Sequence, residues 1–306
     1  MKFSSTFMVL VSVKVGQIII AFATLRLLTS MLTSDELANY YLVLALMAFF
    51  NLVFLNPAGV YFARNVLEWE KKNDLVNVFL VFTVYIIFIS VTAVIITMGL
   101  LYFFDYNMKF NALHLILFVF FASLISTMHR NLLNSINTLG HRLKFGALLI
   151  STILIGFSCS CFFFFFISKN ALFWLSGILV SELVFIYFIF RIYAGVSISS
   201  SDMFLKTLSA KKIERVFYFC IPIAVTTLFM WGQNISYRFV VDYKYSAEVL
   251  AEVAIAFGIA AAVFTSLESV AMQHYNPIFL KNILDQEKDT IAQAWNSMAA
   301  ELIPVY

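Results

Sequence analysis

The sequence predicts an all-α integral membrane fold of about nine spanning helices, a complete six-helix N-terminal bundle plus part of a second repeat bundle. Three observations carry this. Hydrophobic residues make up 62% of the chain and charged ones 12%, where a soluble domain carries about a quarter charged residues. The mean hydropathy is +0.92. The apolar runs last about 20 residues, enough for a helix to cross the hydrocarbon core and well beyond the ~10 of a barrel strand. A chain with 35 phenylalanines has too little polar surface to cover itself in water.

The first span is placed at Phe7–Thr29. Lys14 interrupts its apolar run and no small-residue cleavage site follows, so it reads as a membrane helix and not a secretory signal. Further spans are expected at Leu37–Val60, Leu75–Phe104, Ala112–Thr138, Phe145–Ile167 and Ala171–Ile192, then Val216–Val240 and Val249–Leu280. A ninth opens near Thr290. Pro57, Pro222, Pro277 and Pro304 each stand where a bend or a helix end is expected.

The one long break, Tyr193–Arg215, holds three serines and the basic residues Lys211, Lys212 and Arg215. It divides the chain into residues 1–192, a linker at 193–215 and residues 216–306. Across it runs an internal echo: Arg26 precedes Glu36 as Arg238 precedes Glu248, and Ser34 aligns with Ser246. A true repeat would make the first and seventh helices equivalents in two bundles related by an axis along the membrane normal.

Orientation follows from the basic residues. With the N-terminus cytoplasmic, Lys2, Arg64, Lys71, Lys72, Arg130, Arg142, Lys144, Arg191, Lys206, Lys211, Lys212, Arg215, Lys281 and Lys288 lie inside or at inner helix ends. Arg26, Lys109, Lys169, Arg238 and Lys244 lie outside. That asymmetry places the N-terminus inside. The net charge of +3 sits in short loops and forms no basic stripe, so nucleic acid is not an expected partner. Cys159, Cys161 and Cys220 fall in apolar stretches without a paired framework and read as free thiols.

Ionisable groups within spans are costly and usually have a reason. Lys14 shares a helix face with Gln17 and Thr24. It either lines an aqueous cavity or snorkels to the headgroups. Arg26 and Arg238 lie near outer helix ends, as interfacial anchors or as the rim of a central cavity. Asn234 and Arg238, four apart, are expected on one face of the seventh helix. The fourth helix carries a polar stripe, Ser123, Ser126, Arg130, Asn134, Asn137 and His141, read as interhelical packing except at Arg130. Of the deep carboxylates, Glu182 reads as structural. Glu268, near Gln273 and His274, is the candidate for ion coupling. No HExxH pair, phosphate loop or nucleophile elbow is present. A transporter is therefore expected in place of an enzyme, with no cofactor and no metal.

The segment "LTSDELANYYLVLALMAFFNLVFLNPAGVYFARNVLEW" resembles polysaccharide-export flippases of the Wzx type, in the multidrug/oligosaccharidyl-lipid/polysaccharide superfamily. "HRNLLNSINTLGHR" and "FYFCIPIAVTTLFMWGQNISYRFVVD" are similar to that family's fourth and seventh helices. The resemblance implies two six-helix bundles around a cavity open alternately to each side. It implies movement of undecaprenyl-diphosphate-linked oligosaccharide across a bacterial plasma membrane for O-antigen or capsule synthesis, beside glycan-assembly proteins and membrane lipid. Lys14, Arg26, Arg130 and Arg238 would then replace the water and counter-ions of the diphosphate. Members of the family have about twelve helices or more, so a chain ending in the ninth is expected to be a fragment or a truncated product. The alternatives are a multidrug exporter of the same superfamily and a membrane-embedded glycan polymerase.

Overall fold

A computed structural model describes residues 5–103, 112–193 and 210–284, with a few helical residues beyond. Every regular element among the described residues is a helix. They are α1 (Ser5–Met31), α2 (Ser34–Phe50), α3 (Asn56–Lys71), α4 (Leu75–Phe103), α5 (Ala112–Thr138), α6 (Arg142–Phe166), α7 (Ala171–Tyr193), α8 (Ala210–Asn234), α9 (Tyr237–Lys244) and α10 (Ala247–Leu284). Between α2 and α3 lies one π turn, Asn51–Leu55.

Among the described residues, seven helical stretches are long and apolar enough to cross a membrane. The eighth expected segment falls within α10, and the ninth lies largely outside the described residues. Outward faces are apolar, with Phe88, Ile95 and Leu183 exposed, as a lipid-facing surface requires.

The second expected span ended at Val60, but the rod formed by α2, the π turn and α3 continues to Lys71. Pro57 lacks the N–H that an α-helix would use at that point. The chain widens instead: Asn56 N–H bonds the carbonyl of Asn51, five residues back, so the proline is absorbed without ending the helix. The rod stops where Asn73 takes a positive φ of 54° and Asp74 N–H returns to Trp69 O at 2.9 Å. The turn after α5 is built in the same way. Gly140, at φ 88°, lets His141 N–H reach Ile136 O at 3.1 Å.

The seventh expected span also differs. It breaks at Ile235–Ser236, where Arg238 N–H bonds Ile235 O and Phe239 N–H bonds Ser236 O. These tighter i→i+3 bonds interrupt the helical phase. Asn234 ends α8 exposed to the outside, while Arg238 is half-buried in α9. The two do not share a face.

Packing forms a ring. Neighbouring contacts run from α1 to α6, α7 and α5, on to the α2–α3 rod, then to α10, and from α10 back to α1. The tightest pair is α6 with α7, and small residues make it so. Gly156 and Ser160 on α6 meet Gly177 and Ser181 on α7, and a Cβ on Gly177 would overlap the backbone of Cys159 and Ser160. Ser160 donates to Trp174 O and Ser181 to Thr152 O, both at 2.7 Å. Trp174 is wholly buried, edge-on to Phe157 and Phe164.

Candidate functional site

The ring encloses a cavity of about 720 Å³. Its wall draws on α1, α2, α5, α6, α7 and α10. Gln17 and Thr24 come from α1, Tyr40 and Tyr41 from α2, and His129, Arg130 and Asn134 from α5. Helices α6 and α7 add Thr152, Phe157, Trp174 and Glu182, and α10 closes the wall with Gly258, Ile259 and Gln273. Seven residues separate Gln17 from Thr24, two turns of one face. Arg130 and Asn134 are one turn apart on α5.

Arg130 is the charged centre. It is solvent-accessible although helices surround it, and Nη2 donates to Oδ1 of Asn51 at 2.7 Å. A guanidinium has five N–H donors, so most remain to meet a ligand in the cavity. The only other formal charge on the described wall is Glu182, whose carboxylate accepts from the Ser126 hydroxyl. Ser126 stands one turn before Arg130 on α5. The arginine and the carboxylate therefore face the same space. Thr152 donates to Leu148 O at 2.8 Å and so accepts from Nε2 of His129 at 3.3 Å.

Of the expected site residues, the structure places Gln17 and Arg130 in the cavity wall. The other expected cations stand elsewhere. Lys14 is buried one turn before Gln17 and is not part of the wall. Arg26 is exposed near the end of α1. Arg238 stands behind the wall, its guanidinium 5.3 Å from the Tyr41 ring centre and its Nη1 donating to Tyr41 O at 3.3 Å. Asn234 and Glu268 are exposed on α8 and α10. The repeat positions Arg26 and Arg238 thus do not meet, because α1 turns Arg26 outward while the α8–α9 break turns Arg238 onto α2.

Sequence reasoning read Glu182 as structural and passed over the aromatic residues of the wall. Glu182 carried a usable signal, being a carboxylate deep in an apolar span. Tyr40, Tyr41, Phe157 and Trp174 carried none, since aromatic residues line every helix of this chain. The polar stripe of α5 divides into three uses. Arg130 and Asn134 face the cavity, Ser126 holds Glu182, and Asn137 donates to Gln273 O on α10 at 3.0 Å.

No family model matches the chain, and neither a curated protein nor a solved structure shows significant similarity to it.

Proposed function

We propose that this chain takes part in moving diphosphate-linked lipid oligosaccharides across a bacterial plasma membrane, as a flippase of the Wzx type. The observation that carries the reading is Arg130, an accessible arginine with unused donors inside a cavity ringed by helices of membrane-spanning length. A phosphate crossing hydrocarbon must exchange its water for fixed donors, and a planar guanidinium supplies them in pairs. Gln17, Thr24 and Asn134 add neutral polar groups, and the partly exposed Tyr40 and Phe157 add the flat apolar surfaces on which sugar rings rest. The cavity volume lies within the ~300–1,000 Å³ of ordinary ligand pockets. It suits a head group and adjoining sugars, with the prenyl chain left in lipid. Parting α10 from α1 or from α2 would open the ring sideways for entry and exit.

The test is transport in proteoliposomes with a fluorescent oligosaccharide on a short prenyl diphosphate. Arg130→Gln is expected to reduce transport about a hundredfold, the weight of a charged hydrogen-bond pair, and exposed Lys169→Gln to leave it unchanged. Equal rates in both variants would end this reading. Glu182 supports a second one, since a carboxylate beside aromatic faces also suits organic cations, the cargo of a multidrug exporter. Loss of ethidium efflux in Glu182→Gln, with no diphosphate transport in the wild type, would establish that alternative.

A further inference from the structure

Arg130 reaches into the cavity from α5, yet its one hydrogen bond goes to Asn51, the first residue of the π turn. That turn has unusual connections. In its i→i+5 register Asn56 N–H bonds Asn51 O, and the next bond would need an N–H on Pro57. Proline has none. The carbonyl of Leu52 is therefore left without a helical donor. Thr227 Oγ1 of α8 stands 2.7 Å from it, closer than to Ile223 O at 2.9 Å or Ala224 O at 3.1 Å in its own helix, and gives its single proton there. Two residues further on, Phe54 O accepts from the Tyr85 hydroxyl of α4 at 2.7 Å. One turn of helix thus meets a cavity arginine on one side and α8 on another.

We infer that Asn51 is the positioning residue for Arg130, and that the π turn presenting Asn51 is held by α8, so that docking of α8 sets the direction of the arginine. The chain of contacts is continuous and short. Thr227 fills the vacancy at Leu52, the filled vacancy stabilises the widened turn, and the widened turn carries the Asn51 amide to Arg130. Were α8 to withdraw, Leu52 O would lose its donor in a medium without water, which favours relaxation of the turn. A change of one residue in register rotates Asn51 by roughly 100° about the helix axis, beyond reach of Arg130. π turns of this kind recur at functional sites, where a helix must hold a side chain off its ordinary face. That Arg130 contacts a phosphate rests on the function proposed above. That Asn51 and α8 direct it does not.

The test needs no ligand. Phenylglyoxal, a small neutral reagent for guanidinium groups, is applied to the full chain in nanodiscs, and modification of Arg130 is followed by peptide mass spectrometry. Arg191, which lies over the Tyr187 ring of its own helix α7 and away from the cavity, is the internal standard. Asn51→Ala is expected to change the Arg130 rate about threefold or more, the weight of a hydrogen bond to a charged group. Thr227→Val, which keeps the shape and removes the hydroxyl, is expected to change it in the same direction with Asn51 intact. An unchanged rate in Asn51→Ala overturns the positioning role, and an unchanged rate in Thr227→Val overturns the link to α8. Thermal unfolding of each variant separates this from general loosening, in which Arg191 would shift equally and the inference would fall. A parallel arm adds inorganic pyrophosphate. Protection of Arg130 in the wild type bears on the phosphate reading alone, so the two ideas fail separately.

Discussion

The helices α1–α7 and the helices α8–α10 belong to one chain, but their packing differs. In the first group the most apolar stretches bury between 17% and 50% of their residues, with α7 highest. Along Glu214–Lys244, which covers α8 and α9, the figure is 6%. The first region is held by the small-residue seam of α6 and α7 and by the core around Phe62, Phe79 and Ile86, while Trp174 and Phe164 share their cluster with Leu250, Ala251 and Ala254 of α10. The second touches the first mainly along the α2–α3 rod and, through α10, along α1 and α2.

Apart from the contact of Arg142 with the His274 ring, several hydrogen bonds across the boundary run from a side chain to a backbone carbonyl. Thr227 donates to Leu52 O, Trp231 to Ala45 O and Arg238 to Tyr41 O. In the opposite direction Asn137 donates to Gln273 O and Arg142 to His274 O. Two of these carbonyls are freed by prolines. Pro57 leaves Leu52 O open, and Pro277 leaves Gln273 O open four residues before it. Each region therefore caps a vacancy made in the other. Elsewhere the bond uses a second lone pair on a carbonyl that can keep its helical partner. Contacts of this kind average only about 0.6 kcal/mol each in membranes. The first region is the more densely packed, and α8 and α9 are the more sparsely packed.

The largest expected effect breaks the first region. Gly177→Leu drives a side chain into the α6 backbone and is expected to destabilise by about 3 kcal/mol. Thermal unfolding in detergent would show it. Gly232→Ala in α8 meets open space and should stay within about 0.5 kcal/mol even though it sits in a helix. A similar loss at both glycines would erase the contrast between the regions.

Thr227→Val comes next, at about 1 kcal/mol for the orphaned carbonyl. Its mark is selective: hydrogen exchange should rise in α8 and stay level in α6 and α7. Rise in all three would mean that the regions unfold together. Asn137→Ala tests the reciprocal cap and should raise exchange around Gln273 and His274 by a comparable or slightly smaller amount. No change there would show that the Pro277 vacancy finds its donor elsewhere. The smallest effect belongs to the exposed Glu68–Lys72 pair. Glu68→Gln should cost about 0.3 kcal/mol or less and weaken further with salt.

Much of the helical framework was legible in the sequence. Apolar runs of membrane length set where helices form, because a backbone in lipid must satisfy its own hydrogen bonds and a helix does so locally. Five of the expected segments reappear within a few residues as α1 and α4–α7, the second runs on eleven residues to Lys71, the seventh breaks between α8 and α9, and the eighth falls within α10. Even Pro57 was a visible mark of a bend. Whether it ended the helix was not visible, since the π turn that carries the rod on to Lys71 is stabilised by Thr227 and Tyr85 from helices far along the chain.

What the sequence determined by itself is the class of molecule and the order of its helices, since both follow from local hydropathy and from hydrogen bonds within one segment. What only the tertiary structure decided is which polar residues meet. Lys14, Arg26, Arg130 and Arg238 looked alike as cations in apolar surroundings, yet Arg130 alone of the four lines the cavity. Glu182 joined it there because α5 and α7 pack so that Ser126 reaches the carboxylate. A helix presents every side of itself to something, and its own sequence does not say to what. The rotation of each helix about its axis is settled by neighbours distant in the chain, through small-residue seams such as Gly177 on Ser160 and capped carbonyls such as Leu52, and that rotation decides whether a charge faces lipid, protein or the cavity.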